Sequence, residues 1–73
     1  MNAKMIPVVS STIHRIGYDE ETRTLYIDFY KSGIYEYTNV PKVLYDDFLN
    51  APSKGHYFQV YIKETIKGHK VSP

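Results

Sequence analysis

From Arg23 to Tyr30 the side chains alternate without a break. Leu25, Ile27 and Phe29 fall on one side of an extended chain, and Tyr26, Asp28 and Tyr30 on the other. A period of two sustained this long predicts a β-strand with one face turned to a core. It constrains everything around it, because a strand needs paired neighbours and its apolar face needs a cover. Upstream, Thr12–Tyr18 reads as a strand reached through the polar turn Asp19-Glu20-Glu21-Thr22. Ile13, Ile16 and Tyr18 do not alternate cleanly there, and Gly17 predicts a bulge as the cause. Downstream, Lys31-Ser32-Gly33 forms a tight turn, with Gly33 suited to its left-handed position. Ile34–Thr38 follows as a third strand that places Tyr35 and Tyr37 beside Leu25, Ile27 and Phe29.

The cover is legible in what comes next. Val40-Pro41 announces a helix, since proline is pre-organised for a helix start. Val43, Leu44, Phe48 and Ala51 then recur at helical spacing. Pro52 ends this helix and Ser53 is a good N-cap for another, in which Phe58, Ile62 and Ile66 recur every fourth residue up to a C-cap at Gly68. The expected fold is α+β: a three-stranded antiparallel β-meander followed by two helices packed on one face. A chain of 73 residues allows one domain. Domains this short bury only about 60% of their unfolded surface, so the bulk of eight tyrosines and three phenylalanines matters to the core. We expect residues 1–7 to be a flexible leader, 8–68 the domain and 69–73 a frayed tail. With no cysteine, no disulfide or thiolate metal site holds the chain together. No apolar run reaches the roughly 18 residues of a membrane span, and Met1–Pro7 is too short and polar for a signal peptide. The expectation is a cytoplasmic protein that does not enter a membrane.

The candidate sites are few. Residues 1–53 carry five basic and seven acidic side chains, whereas the remainder carries Lys54, Lys63, Lys67 and Lys70 against Glu64 alone. With His56, this basic segment could meet phosphates, or simply complement a helix end. Tyr26 and Tyr30 share the sheet face opposite the helices and could stack bases if that face is open. The same pair could instead bury itself against a protein or a second copy. Ser53, Lys54 and Gly55 at a helix start could bind an anion. Ser10 and Ser11 lack an aligned base and read as turn residues. His14, His56 and His69 are scattered, and the acidic residues lack the spacing of a calcium loop, so no metal and no cofactor is expected.

Several of these residues fall into a known pattern. Ser10-Ser11, Ile13, Ile16-Gly17-Tyr18-Asp19 and Leu25-Tyr26-Ile27-Asp28-Phe29 resemble the KTSC domain. The likeness continues through Gly33, Tyr35, Tyr37, Val40-Pro41, Tyr45, Leu49, Ala51, Ser53, Gly55, Tyr57-Phe58, Ile62 and Lys63. Gln59 stands where the family pattern has asparagine. The resemblance covers residues 9–66 and implies a module found at the end of some lysyl-tRNA synthetases and as small free-standing proteins. By analogy it implies contact with RNA or DNA, without implying an activity. The expected function is a small non-catalytic binding module for RNA or DNA, with Tyr26, Tyr30, Lys54, His56, Lys63, Lys67 and Lys70 as contacts. The alternative is a protein-interaction or self-association module using the Tyr26/Tyr30 face.

Overall fold

In the computed structural model, which describes residues 3–71, the strand read from alternation becomes β3 (Thr24–Phe29). It pairs antiparallel with β2 (Ile13–Asp19) and β4 (Gly33–Tyr37), setting Leu25 opposite Tyr18 and Tyr37, and Ile27 opposite Ile16 and Tyr35. Directly opposed residues share a face, so the expected apolar face forms. The turns follow their chemistry. Asp19 accepts the Glu21 N–H through its carboxylate at 3.1 Å, and Gly33 has φ 87°.

The sheet is larger than a three-stranded meander. β1 (Ile6–Pro7) pairs with β2, and β5 (Gly68–Lys70) pairs with β4, giving five antiparallel strands in the order β1-β2-β3-β4-β5. These strands lie where the sequence predicts a leader and a tail. Their pairing supplies the two outer ladders, and neither segment has the alternation that would mark it as a strand. The outermost positions of both segments, residues 1–2 and 72–73, lie outside the described residues. The bulge also moves. The register shifts between Ile13 and Arg15, at His14, while Gly17 pairs regularly with Tyr26. An extra residue at His14 lets Ile13 and Ile16, three apart, both turn inward. Gly17 serves a different need: a Cβ there would lie 2.5 Å from Met5 Sδ and 3.0 Å from the Lys4 carbonyl, so the N-terminal segment crosses it closely.

Two helices cover the apolar face. α1 (Lys42–Asn50) presents Phe48, fully buried, with Leu44, Tyr45 and Leu49 packed beside it. Val43, which the helical spacing places on the apolar stripe, is instead 65% exposed. Tyr18 stacks on Tyr45 with ring centroids 4.8 Å apart and donates its hydroxyl to the Val40 carbonyl, tying β2 to the helix entry. α2 (Lys54–Tyr57) runs directly into a π-helical stretch, Phe58–Ile62, closed by a Lys63 N–H to Phe58 carbonyl bond of 2.8 Å. The helix therefore ends near Ile62, short of the expected Gly68, which enters β5. Ile62 joins Ile13, Ile16, Leu25, Ile27, Tyr37, Val40 and Phe48 in one core.

Candidate functional site

The early end of the second helix leaves one corner of the sheet thinly covered. Phe29 at the end of β3, Tyr35 and Tyr37 on β4, and Phe58 at the start of the π-helical stretch meet there edge to face. Phe29 to Phe58 is 5.1 Å between centroids, Phe29 to Tyr35 is 5.8 Å and Tyr37 to Phe58 is 5.9 Å. Edge-to-face contact is the favoured geometry for such rings. It leaves ring surface at the rim of two adjoining clefts of about 330 Å³ each, near the lower end of the range for small-ligand pockets.

The clefts share Phe29, Ser32 and Phe58. The first extends over Tyr35, Tyr37 and Ile66 to Lys63 and Lys67. The π-turn accounts for part of this arrangement: an added residue in the turn brings Phe58 and Lys63, five positions apart, to one cleft. Lys70, opposite Tyr35 in the β4–β5 ladder, stands on the same side. The second cleft extends over Tyr30 and Gly55 to Lys31, Ser11, Thr12 and Gln59. Three lysines line the pair, and among the described residues no carboxylate does. Three of the acidic residues are engaged elsewhere: Asp28 binds Arg15 at 2.7 Å, Asp46 faces Lys42 and Asp19 is folded into its turn. Burial, then the neighbouring Tyr35, pushes the Tyr37 phenol up to about 12, so it stays a neutral wall of the first cleft.

The structure separates the residues that the sequence grouped. Tyr26 and Tyr30 do not form an open platform. Tyr26 is only 8% exposed, and burial, then Glu36 and Asp19, raises its pKa, whereas Tyr30 is 58% exposed. Strand alternation places Tyr26 on the face away from the helices, but the N-terminal segment crosses that face at Gly17, its partner in β2. Tyr30 stacks instead on His14, at 4.9 Å, and His14 Nδ1 lies 3.5 Å from Asp28. Nor do Ser53, Lys54 and Gly55 converge on an anion cradle. Ser53 Oγ accepts the His56 N–H, Lys54 Nζ donates to the Ala51 carbonyl at 2.6 Å, and Gly55 turns toward Thr12. His56 is exposed beyond them. Lys63 and Lys67 do come together, at the first cleft.

Phe29, Tyr35 and Phe58 as cleft walls, and Lys31, Ser32, Ser11, Thr12 and Gln59 as lining, are absent from the sequence reading. Their apolar spacing assigns the rings to the core, and only the shortened helix leaves them at a rim. A lysine directly after the strand end Phe29-Tyr30 is the one local signal of this edge. Ser10 behaves as a turn residue, its hydroxyl accepting the backbone N–H groups of Thr12 and Ile13 at 3.2 Å. Among the described residues, no three His, Cys, Asp or Glu side chains group as metal ligands, and no helix is long and apolar enough to cross a membrane.

Comparison with known proteins gives a consistent set of relatives. Residues 9–65 match the KTSC domain family profile. A lysine–tRNA ligase from Nostoc punctiforme is 40% identical over 62 residues, which is 85% of this chain but 11% of the ligase. A small protein from Tsukamurella paurometabola is 37% identical, with 86% of this chain and 94% of that protein covered. The crystal structure of a KTSC domain protein from Yersinia pestis superposes with a TM-score of 0.93 at 38% identity, covering 96% of this chain and 99% of the other. The chain thus spans about a tenth of the ligases it matches, and nearly the whole of the small proteins.

Proposed function

The chain belongs to the KTSC domain family, and on that premise we propose that it is a small non-catalytic binding module for single-stranded RNA or DNA. One observation carries this reading: the two adjoining clefts are walled by aromatic rings and lined by Lys31, Lys63 and Lys67, with no carboxylate among the described residues that line them. In a chain with nearly balanced charge, that segregation favours an anionic ligand with flat apolar parts. Unpaired nucleotides have that composition. Their bases stack on aromatic side chains at about 1–3 kcal/mol each, while lysines track the phosphates. Lys70 extends the basic rim, whereas His56 and Lys54, the latter bonded to the Ala51 carbonyl, stand at the start of the second helix. The ligases that carry the same segment are named for a tRNA, which points the same way. A cytoplasmic setting, where such RNAs are used, belongs to the same reading.

The test is an NMR titration of labelled protein with short single-stranded RNA and DNA at low and near-physiological salt. Amide shifts should concentrate at Phe29–Ser32 and Phe58–Lys67 and fade as salt rises. Spectra unchanged by both ligands would overturn the proposal. Shifts that depend on protein concentration and ignore salt would assign the surface to self-association instead.

A further inference from the structure

The two clefts differ in a way that divides labour between them. The first offers aromatic rings together with Lys63 and Lys67, which any nucleotide satisfies. The second adds short neutral hydrogen-bonding groups, Ser11, Thr12, Ser32 and Gln59, around Phe29, Phe58 and Tyr30. Nearby polar side chains are consumed by the fold: Ser10 holds the turn before β2, Ser53 caps α2 and Lys54 binds Ala51. Among the described residues, the Ser11 and Ser32 hydroxyls and the Gln59 amide are not bonded within the chain, and all three residues are exposed. Gln59 carries both a carbonyl acceptor and two N–H donors, so it can pair with a base edge from either sense. Its position follows from its neighbour: Phe58 fixes the wall, and Gln59 is the next residue of the same π-helical stretch. Specific recognition of unpaired bases combines these parts, a ring to stack on and a polar side chain at the hydrogen-bonding edge.

Building on the single-strand reading, we infer that the second cleft is the discriminating subsite. It takes one unpaired nucleobase against Phe58 and reads its edge through the Gln59 amide, while the first cleft holds the adjoining nucleotide regardless of sequence. Only base identity at the second cleft then alters affinity strongly. The charge of Lys63 and Lys67 sets the general level.

The experiment is fluorescence anisotropy with end-labelled rA, rC and rU hexamers and their DNA counterparts, for the unaltered chain, Gln59→Ala and the double variant Lys63→Ala/Lys67→Ala. The unaltered chain should separate its best and worst homopolymers by about tenfold, as expected for one well-made base contact. Gln59→Ala should weaken the best-bound homopolymers most and bring all of them to within roughly twofold of one another, since the stacking wall remains. The lysine variant should weaken all of them alike and flatten the salt dependence by roughly 1.4 in slope, at about 0.7 per phosphate contact. Equal affinity for all homopolymers, or a preference that survives Gln59→Ala, overturns the inference while leaving single-strand binding intact. Failure of every oligonucleotide to bind at low salt overturns the underlying reading as well. Circular dichroism of each variant confirms that a lost preference is not lost folding. The RNA and DNA arms show which sugar the groove accepts.

Discussion

Tyr37 and Gly68 make the most demanding single contact in the domain. They oppose one another across β4 and β5, and the Tyr37 ring lies over the glycine where a Cβ would sit. An edge glycine covered by a cross-strand ring is a recognised way to hold a weak strand in register. Gly68→Ala should therefore cost about 1–3 kcal/mol through overpacking, read by urea denaturation; an unchanged midpoint would show that the ring moves aside freely. The same burial links Tyr37 to alkaline stability. Its folded pKa of about 12 exceeds the ordinary 10.0, so the folded state keeps a proton that the unfolded chain releases. Its contribution is complete below pH 10 and is lost as pH rises toward 12, at on the order of 1 kcal/mol per pH unit. Tyr26, Tyr45 and Tyr57 shift the same way, each chiefly through burial. Tyrosine absorbance titration should show part of the phenol signal ionising well above pH 10, whereas a single smooth titration near pH 10 would contradict the burial of Tyr37.

At the scale of elements, the outer strands govern what could be read in advance. β2, β3 and β4 announce themselves through Ile16, Leu25, Ile27, Tyr35 and Tyr37, whose spacing matches the face they bury. Ile6-Pro7 and Gly68-His69-Lys70 have no such spacing, and their structure comes from the open ladders they complete. The burial of Tyr26 is likewise invisible to alternation, which reports the side of a sheet and not what later crosses it. The end of the π-helical stretch at Ile62 is hidden because Ile66 continues the four-residue repeat after the helix has stopped; its N–H bonds the Ile62 carbonyl in a turn. Consequently the aromatic corner, and with it most of the candidate site, could not be separated from the core by sequence pattern. β1 contributes only two paired residues at one edge, so it should open well below the global unfolding energy. Native-state hydrogen exchange should show the Val8 N–H, bonded to the His14 carbonyl at 3.1 Å, exchanging far faster than the Ile27 N–H in the central strand. Equal protection would mean that the edge and centre unfold as one unit.

Taken whole, the molecule has one core and little reserve. Domains of this length have roughly 4–11 kcal/mol of net stability. Among the described residues Phe48 is the largest fully buried side chain, and it is the residue of α1 buried in the core. Phe48→Ala should cost about 3–5 kcal/mol and lower the melting temperature by roughly 12–40 °C, followed by circular dichroism; a fall of only a few degrees would mean that α1 is held mainly by other contacts. The two ends of the described chain also leave the sheet at different places. Ala3 lies against Gly17, on the face away from the helices, whereas the Val71 N–H bonds the Ile34 carbonyl at 2.8 Å, next to the turn that both clefts share. A fluorophore, affinity tag or tether joined after Val71 thus starts beside the turn at the rim of both clefts, where it would compete with the single strand proposed to enter them, while one joined ahead of Ala3 starts behind the sheet, away from that rim.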